Sequence, residues 1–455
     1  MPIEVVNPAT GRTIRTVEET PEAEIHRIVS RVHETSRAWR QTTFDERARR
    51  MRGAATLLRQ GAGSYARLMA EEMGKPVRDG RAEAEKCAWV CEYYADNAAR
   101  FLAPEPVETD ARDSFVAFRP LGVVLAIMPW NFPFWQVFRF AAPTLMAGNA
   151  ALLKHASNVP GCALAIEEIF REAGFPEDLL RALIVGSDQV GPLIDDDRVQ
   201  GVTLTGSVSA GRAVGSAAGE NLKKSVLELG GSDPYVILED ARLESAVETC
   251  VRSRLINSGQ SCIAAKRFVV VASIRDEFEE RFVERMRRAI VGDPLDEATD
   301  IGPQARSDLR DDLHRQVEAT IALGARCLLG GEIPDREGAW YPPTVLTDVR
   351  PKSPGYEEEL FGPVASIIPV ADEAGAIAVA NDTAFGLGAA IFTRDLGRGR
   401  RIATEELEAG ACFVNGLVKS DPRLPFGGIK HSGYGRELSA FGIREFVNIK
   451  SVWVG

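Results

Sequence analysis

A cysteine among small residues is the first candidate for chemistry in this chain. Cys262 follows Gly259 and Ser261 and precedes Ala264 and Ala265, so little side-chain bulk surrounds its sulfur. The thiolate is the nucleophilic form of cysteine, and at an ordinary pKa of about 8.5 only a small fraction is present at neutral pH. A reactive Cys262 therefore needs activation by other groups, and an inert packing thiol is the open alternative.

Two further candidates, an amide and an amine, follow apolar runs that predict strands. Asn131 lies between two prolines that restrict the backbone around it. A side chain held in this way can donate its amide to a developing oxyanion. Lys154 follows the next apolar run and can bind sugar hydroxyls or phosphate. From these residues alone, a helix-capping asparagine and a solvated lysine are the alternatives.

Glycines and a carboxylate follow two more predicted strands. Gly206, Ser207 and Gly211 begin a helix, whose free N–H groups could bind a pyrophosphate. Their spacing differs from Gly-x-Gly-x-x-Gly, so the dinucleotide signal is weak. Glu228 ends an apolar strand before a glycine pair, and burial there would raise its pKa towards neutrality, which suits a general base. The alternative for Glu228 is a surface carboxylate at a turn.

Alternating strand and helix patterns must position these groups. From about residue 112 onward, apolar runs of strand length alternate with helical stretches, which predicts a parallel, doubly wound sheet. Such sheets bind ligands outside the carboxyl ends of their strands. A second alternating region, 234–415, contains Cys262. The N-terminal part is helical, with a helix start at Thr20–Glu22 and helical patterns over 45–60 and 64–101.

Length, composition and charge limit the classes of function. The 455 residues predict two or three domains, and 45% apolar with 26% charged residues is typical of globular proteins. The net charge of −11 argues against nucleic acid or a membrane surface as the main partner. No transmembrane run or signal peptide is visible, so we predict a cytoplasmic protein. Seven cysteines without a Cys-x-x-Cys pair and five scattered histidines predict no metal site.

Taken together, the motifs resemble those of the NAD(P)-dependent aldehyde dehydrogenase superfamily over nearly the full length. The resemblance implies an α/β, aldehyde dehydrogenase-like fold that contains a doubly wound parallel-sheet cofactor domain, an α/β catalytic domain and a small β oligomerisation element. The matching motifs, in the family's order, are Pro129–Pro133, Gly206–Ser207 with Gly211, Glu228–Gly231, Gly259–Cys262 and Glu359–Pro363.

The resemblance also implies catalytic roles. Cys262 would attack the aldehyde to give a thiohemiacetal, and its oxyanion would be held by the Asn131 amide and the Cys262 backbone N–H. After hydride transfer, Glu228 would activate the water that hydrolyses the thioester. The presence of Glu228 favours release of the free acid over transfer to coenzyme A.

A dinucleotide cofactor, NAD or NADP, is implied in the same way. Lys154 and Glu359 would bind its ribose hydroxyls, and Gly206 and Ser207 its pyrophosphate. Ser157 stands where many NAD-preferring members have a glutamate, so the resemblance predicts that NADP is accepted and leaves the preference open. The full set of implied cofactor contacts is Pro129, Trp130, Lys154, Ser157, Gly206, Ser207, Gly211, Leu229, Glu359 and Phe361.

The substrate is suggested by similarity to bacterial succinate-semialdehyde dehydrogenases of the Sad/YneI type. That similarity is carried by Lys154–Ala156, Leu229–Pro234 and Ala264–Arg267. Arg139 and Ser420 match residues that bind the substrate carboxylate in this group. Two alternatives stay open: a dehydrogenase of a neutral aliphatic or aromatic aldehyde, in which Arg139 is structural, and a catalytically silent binding or structural protein of the same fold.

The resemblance divides the chain into domains and implies a homodimer or homotetramer. Residues 1–109 and 126–229 would form the cofactor domain, and 230–415 the catalytic domain. An oligomerisation hairpin at 110–125 would be completed by the tail 437–455. A returning loop, 416–436, would join the catalytic domain to the tail.

Overall fold

A hairpin and four helices form the N-terminal part of the computed structural model, which describes residues 2–455. The predicted helix start at Thr20–Glu22 is confirmed. The pattern over 64–101 is two helices instead of one, because Gly74 adopts a left-handed φ of +78° and Pro76 follows it. The elements are β1 (Ile3–Asn7), β2 (Arg12–Val17), α1 (Glu22–Trp39), α2 (Phe44–Gln60), α3 (Ala62–Met73) and α4 (Val77–Phe101).

Alternating strands and helices follow, as the apolar runs predicted. The first region contains β3 (Glu105–Pro106), β4 (Asp113–Pro120), β5 (Val123–Met128), α5 (Trp135–Met146), β6 (Ala150–His155), α6 (Pro160–Glu172), β7 (Leu180–Leu183), α7 (Val190–Asp195), β8 (Val199–Thr205), α8 (Val208–Glu220) and β9 (Lys224–Glu228).

The second region contains β10 (Pro234–Ile237), α9 (Leu243–Leu255), β11 (Arg267–Val271), α10 (Arg275–Arg287), α11 (Ser307–Ala322), β12 (Arg326–Leu329), β13 (Thr344–Thr347), α12 (Pro354–Glu357), β14 (Val364–Val370), α13 (Glu373–Asn381), β15 (Gly388–Phe392), α14 (Leu396–Arg401) and β16 (Ala411–Val414). The chain ends with β17 (Gly433–Tyr434), α15 (Ser439–Ile443) and β18 (Val447–Val454).

A six-stranded sheet carries the four predicted strand ends. Its order is β17-β9-β8-β5-β6-β7, and all neighbours except β17 and β9 are parallel. The chain starts in the middle at β5, moves outward to β7, and then returns to β8 on the other side. The point where the order reverses therefore lies between β5 and β8, which is where doubly wound sheets bind their ligands.

A seven-stranded sheet, β12-β13-β14-β11-β10-β15-β16, forms the second layered unit. Its strands are parallel apart from β12, and β10, β11 and β15 are completely or almost completely buried. Near-continuous apolar strands are typical of parallel sheets that are covered on both faces. Cys262 precedes β11, so the sheet sets the position of the thiol.

A three-stranded antiparallel sheet, β18-β4-β3, brings the C-terminal strand to the segment after α4. The predicted hairpin range 110–125 extends into β5, which belongs to the six-stranded sheet. Gly122 separates the two sheets with a φ of +134°, a conformation that favours glycine. The chain therefore changes sheets at Gly122, and the returning loop contributes β17 to the six-stranded sheet.

Within residues 2–455, no helix is long and apolar enough to cross a membrane.

Candidate active site

The loop before Cys262 has an unusual backbone. Asn257, Ser258 and Gly259 all have positive φ values, of 52°, 57° and 78°. A Cβ at Gly259 would lie 2.2 Å from the carbonyl carbon of Gly362, so only glycine fits there. The Gly259–Cys262 motif and the Glu359–Pro363 motif are therefore in direct contact, and their packing fixes the loop that carries the thiol.

Asn131 lies against this loop and is held from both ends. Its Nδ2 donates to the carbonyl of Gln260 at 3.0 Å, and its Oδ1 accepts from Gln136 Nε2 at 3.1 Å. Asn257 Nδ2 donates to the Asn131 carbonyl at 2.7 Å. The helix cap of α5 is Phe134, so the capping alternative for Asn131 is wrong. An amide has two N–H donors, so the bond to Gln260 leaves one N–H of Asn131 for another acceptor, and its role as an oxyanion donor stays a prediction.

The Cys262 thiol is partly buried, and its electrostatic environment favours the protonated form. Burial raises the pKa of Cys262 to about 12, although the positive charges of Lys266 and Arg139 act to lower it. Lys266 Nζ donates to the carbonyls of Cys262 at 2.6 Å and Ser261 at 2.8 Å. Because the thiol is neutral near pH 7 in this state, loss of its proton must accompany attack on a substrate.

Glu228 ends β9 and is 2% exposed. Burial raises the pKa of its carboxyl well above the ordinary value, and the nearby Glu437 raises it further, while Arg139 lowers it. Within residues 2–455, neither Glu228 carboxylate oxygen has a hydrogen-bond partner. A Cβ at Gly427 would lie 2.6 Å from Glu228 Oε1, so the glycine-rich loop provides room for the carboxylate. The surface alternative for Glu228 is therefore wrong.

Arg139 is buried on α5 and is paired inside the protein. Its Nε forms a salt bridge with Glu437, and its Nη2 donates to Thr205 Oγ1 at 3.2 Å. The guanidinium also lies over the ring of Phe426, 4.7 Å from the centroid. The positive charge of Arg139 is therefore paired with the Glu437 carboxylate. The role in binding the substrate carboxylate, which the resemblance implies for Arg139, stays a prediction.

The glycine pair after Glu228 allows two close approaches. A Cβ at Gly230 would lie 2.5 Å from Glu359 Oε2, and one at Gly231 would lie 2.8 Å from the Cys262 carbonyl oxygen. Glu359 accepts from the Gly231 N–H at 3.1 Å and forms a salt bridge with Lys266 at 3.2 Å. Glu359, Lys266 and the Cys262 backbone are thus one connected network.

The carboxyl ends of β8 and β6 present groups suited to an anionic dinucleotide. Ser207 caps α8 by accepting from the Ala210 N–H at 3.3 Å. A Cβ at Gly211 would lie 2.5 Å from the Leu229 side chain, so glycine allows α8 to pack closely against the end of β9. The start of α8 therefore lies at the same sheet edge as Glu228.

Lys154 lies inside β6, one residue before its end, and burial lowers its pKa. Ser157 is exposed two residues after the strand. Within the described part of the chain, Lys154 makes no salt bridge with an acidic side chain.

Trp130 and Phe361 meet edge to face, with ring centroids 5.8 Å apart, which joins the Pro129–Pro133 motif to the Glu359–Pro363 motif.

Ser420 is buried and accepts a hydrogen bond from Lys86 Nζ at 2.8 Å. Lys86 lies on α4 and lines a cavity of about 610 Å³ together with Phe132, Trp135 and Asn257. Phe132 follows Asn131 in the chain, so this cavity borders the loop that carries Asn131. No sequence signal indicates Lys86 or Glu437, whereas Lys266 stands inside the Ala264–Arg267 motif.

Among residues 2–455, no three His, Cys, Asp or Glu side chains are grouped to hold a metal ion.

The sequence profile of the aldehyde dehydrogenase family matches residues 1–452. This match shows that the chain belongs to the aldehyde dehydrogenase family. The fold class implied by the motifs is confirmed.

Among its relatives, the chain is 52% identical over 454 residues to the probable succinate-semialdehyde dehydrogenase (NADP(+)) of Synechocystis sp., with 100% of both chains covered. It is 49% identical over 457 residues, again with 100% of both chains covered, to succinate-semialdehyde dehydrogenase (NADP(+)) 1 of Mycobacterium tuberculosis. The crystal structure of succinic semialdehyde dehydrogenase from Streptococcus pyogenes in complex with NADP+ matches with a TM-score of 0.97 at 38% identity, covering 99% of each chain.

Proposed function

We propose that this protein oxidises succinate semialdehyde to succinate with NADP, through a covalent intermediate on Cys262. The observation that carries the proposal is the contact between the Asn131 amide and the Cys262 loop, with the buried Glu228 at the same sheet edge. The names of the Synechocystis and Mycobacterium relatives support the substrate and the cofactor.

In the first step, the Cys262 sulfur attacks the aldehyde carbon, and the thiol proton is released to water. A C–S bond forms while the carbonyl π bond opens, which leaves an oxyanion. The free N–H of the Asn131 amide and the Cys262 backbone N–H stabilise this oxyanion. Removal of one such donor typically costs about 10²- to 10³-fold in rate.

The second step needs a hydride acceptor, and the residues present fit a dinucleotide. When bound, NADP supplies this acceptor, so the thiohemiacetal becomes a thioester. The α8 start at Ser207, the Lys154 amine and the exposed Ser157 would hold its phosphates and sugars. Ser157 carries no charge that would repel a 2′-phosphate, which favours acceptance of NADP. Glu359 would bind a ribose hydroxyl beside Lys266.

In the last step, Glu228 removes a proton from the water that attacks the thioester carbon. The C–S bond breaks, which releases the acid and restores the Cys262 thiol. Only the deprotonated carboxylate can act as a base, and burial has raised the pKa of Glu228. The rate of thioester hydrolysis is therefore expected to rise with pH through the range in which Glu228 loses its proton.

The domain division and the assembly are part of the same proposal. The six-stranded sheet would be the cofactor domain, with its boundary moved to Gly122, and the seven-stranded sheet the catalytic domain. The small sheet exposes Ile449, Trp453 and Val454 on its terminal strand. Such a surface supports a homodimer or homotetramer in which this sheet takes part. The cytoplasmic location stays a prediction of the sequence.

An aldehyde panel tests the proposal. Succinate semialdehyde, butanal and benzaldehyde are each assayed with NADP and with NAD, and the absorbance of the reduced cofactor is followed. The proposal predicts the highest kcat/KM for succinate semialdehyde with NADP. A higher value for butanal or benzaldehyde would support the neutral-aldehyde alternative, and no turnover with any aldehyde would support the silent-protein alternative.

A further inference from the structure

We propose that Lys86 is the cationic group that binds the carboxylate of the substrate, acting together with Ser420. This inference rests on the proposed oxidation of succinate semialdehyde and assigns the residue that selects the acid over a neutral aldehyde.

Lys86 is placed where a substrate would meet it. Its Nζ donates to Ser420 Oγ at 2.8 Å and lies 4.0 Å from the centroid of the Trp135 ring. It lines the cavity of about 610 Å³ that also contacts Phe132 and Asn257. Phe132 follows Asn131 in the chain, and Asn257 donates to the Asn131 carbonyl, so the cavity that Lys86 lines borders the segment that carries the oxyanion donor.

The two carboxylates that raise the pKa of Lys86, those of Glu83 and Asp421, are engaged by other groups. Glu83 forms a salt bridge with Lys75 and accepts from the backbone N–H groups of Phe134 and Trp135 at 2.8 and 2.9 Å. Asp421 pairs with Arg423 at 2.7 Å. Within residues 2–455, no salt bridge to Lys86 is formed, so its positive charge faces the cavity without a close anionic partner.

Arg139 differs from Lys86 in this respect. Lys86 donates to Ser420, whereas Arg139 is 2% exposed and its guanidinium is paired with Glu437. A substrate carboxylate would have to compete with Glu437 for Arg139, whereas Lys86 would gain its first acidic partner. An ammonium group that is partly removed from water gains most from such a partner.

The protonation of Lys86 provides a second signature. Burial, with a smaller effect of Arg139 on α5, lowers the pKa of Lys86 to about 8, although Cys87 and Glu83 on its own helix and Asp421 on the returning loop act in the opposite direction. Lys86 is therefore charged below about pH 8 and loses its charge as the pH rises above it. The substrate carboxylate stays ionised throughout this range.

The test compares succinate semialdehyde with butanal, a neutral aldehyde of equal carbon number, on the NADP-loaded full-length protein. Lys86→Met keeps the packing on Trp135 and removes the charge. A hydrogen bond to a charged group corresponds to about a 10- to 150-fold effect, so kcat/KM for succinate semialdehyde should fall by that factor, mainly through KM. Butanal should lose much less, and Lys86→Arg should restore most of the preference.

Lys419→Met is the matched control. Lys419 precedes Ser420, is exposed and does not line the cavity. Lys419→Met should leave kcat/KM for both aldehydes unchanged. This result would distinguish the local charge of Lys86 from the general electrostatic field of the returning loop.

The pH dependence of the substrate preference gives a readout that a structural role would not change. The ratio of kcat/KM for the two aldehydes cancels the titration of Cys262, which both reactions share. In the parent protein this ratio should fall as the pH rises through about 8. In Lys86→Met the ratio should be low and independent of pH.

The outcomes distinguish this inference from the proposed function. If the parent protein shows no preference for succinate semialdehyde, the proposed function fails. If the parent shows the preference but Lys86→Met slows both aldehydes equally, or keeps the pH-dependent ratio, the role of Lys86 is rejected and the substrate stands. If Lys86→Met folds poorly, the pH dependence of the kcat/KM ratio in the parent and in Lys86→Arg is the decisive measurement. A ratio that does not change with pH in the parent overturns the inference.

Discussion

The two ends of the candidate site are built in different ways. At the reactive end, the Asn131 and Asn257 amides bond to backbone carbonyls of the facing segment, and the Gly259 backbone lies close to that of Gly362. At the far end of the cavity, Lys86, Ser420 and Trp135 come from α4, the returning loop and α5, and they meet only through side chains. The reactive end is therefore fixed by main-chain geometry, and the far end by a few replaceable side chains.

This difference separates chemistry from selectivity. A change at the reactive end should stop the reaction for every aldehyde, because each intermediate passes through the same sulfur and oxyanion donors. A change at the far end should alter which aldehyde is preferred, because only the substrate's tail reaches it. Four substitutions test this separation, from the largest expected effect to the smallest.

The largest effect is expected for Cys262→Ala, since no other group can form the thiohemiacetal. Loss of a nucleophile typically lowers kcat by about 10⁴-fold or more. Turnover with both succinate semialdehyde and butanal should disappear, while NADP binding measured by calorimetry survives. Cys412→Ala, at a partly buried cysteine on β16, is the control and should keep its activity. Measurable turnover by Cys262→Ala would move the nucleophile elsewhere.

Glu228→Gln should affect the release of product. Loss of a positioned base typically costs about 10²- to 10⁴-fold, so the variant should give a stoichiometric burst of reduced cofactor followed by slow turnover. Both aldehydes should behave alike, because Glu228 acts on the thioester. The exposed Glu220→Gln serves as the control. Turnover by Glu228→Gln at the parent rate would assign water activation to another group.

Arg139→Met tests a residue that lies between the two ends. Arg139 lowers the pKa of Glu228 and pairs with Glu437, so its loss should raise the pKa of Glu228 further. The rise of kcat with pH should move to higher pH. Near neutrality, kcat should fall about tenfold for each pH unit by which the rise is moved. We expect both aldehydes to lose alike. A loss confined to succinate semialdehyde would instead support the carboxylate role implied by the family resemblance.

The smallest effect is expected for Ser157→Glu at the exposed cofactor edge. A carboxylate there should repel the 2′-phosphate of NADP, and solvent screening limits the effect to about 5-fold. The measurement is the ratio of kcat/KM for NADP to that for NAD, with Ser157→Gln as the uncharged control. An unchanged ratio would mean that position 157 does not face the adenosine ribose.

The candidates for the reactive end come from contiguous motifs at strand ends, and their roles come from the family resemblance. Asn131, Glu228 and Cys262 could therefore be named from the sequence. Lys86 could not, because it stands in a regular helical pattern and meets Ser420, 334 residues further along the chain, only in the folded protein. The pairing of Arg139 with Glu437 was equally invisible, since neither residue lies in a motif that signals the other.

The fold, too, could be predicted only where a local sequence pattern marks its elements. Apolar runs predicted the two layered regions, because parallel strands that are buried on both faces leave a clear hydrophobic signal. The boundary at 125 could not be located, because β4 and β5 are adjacent in sequence and only Gly122 marks the change of sheet. The return of β17 to the first sheet involves two residues, too few to give a pattern.

The most direct test of the account is the mass of Glu228→Gln after brief incubation with succinate semialdehyde and NADP. The proposed chemistry predicts one succinyl group per chain, located on the Cys262 peptide and absent from the Cys262→Ala Glu228→Gln double variant. An unmodified chain during slow turnover, or an adduct that persists in the double variant, would contradict covalent catalysis by Cys262.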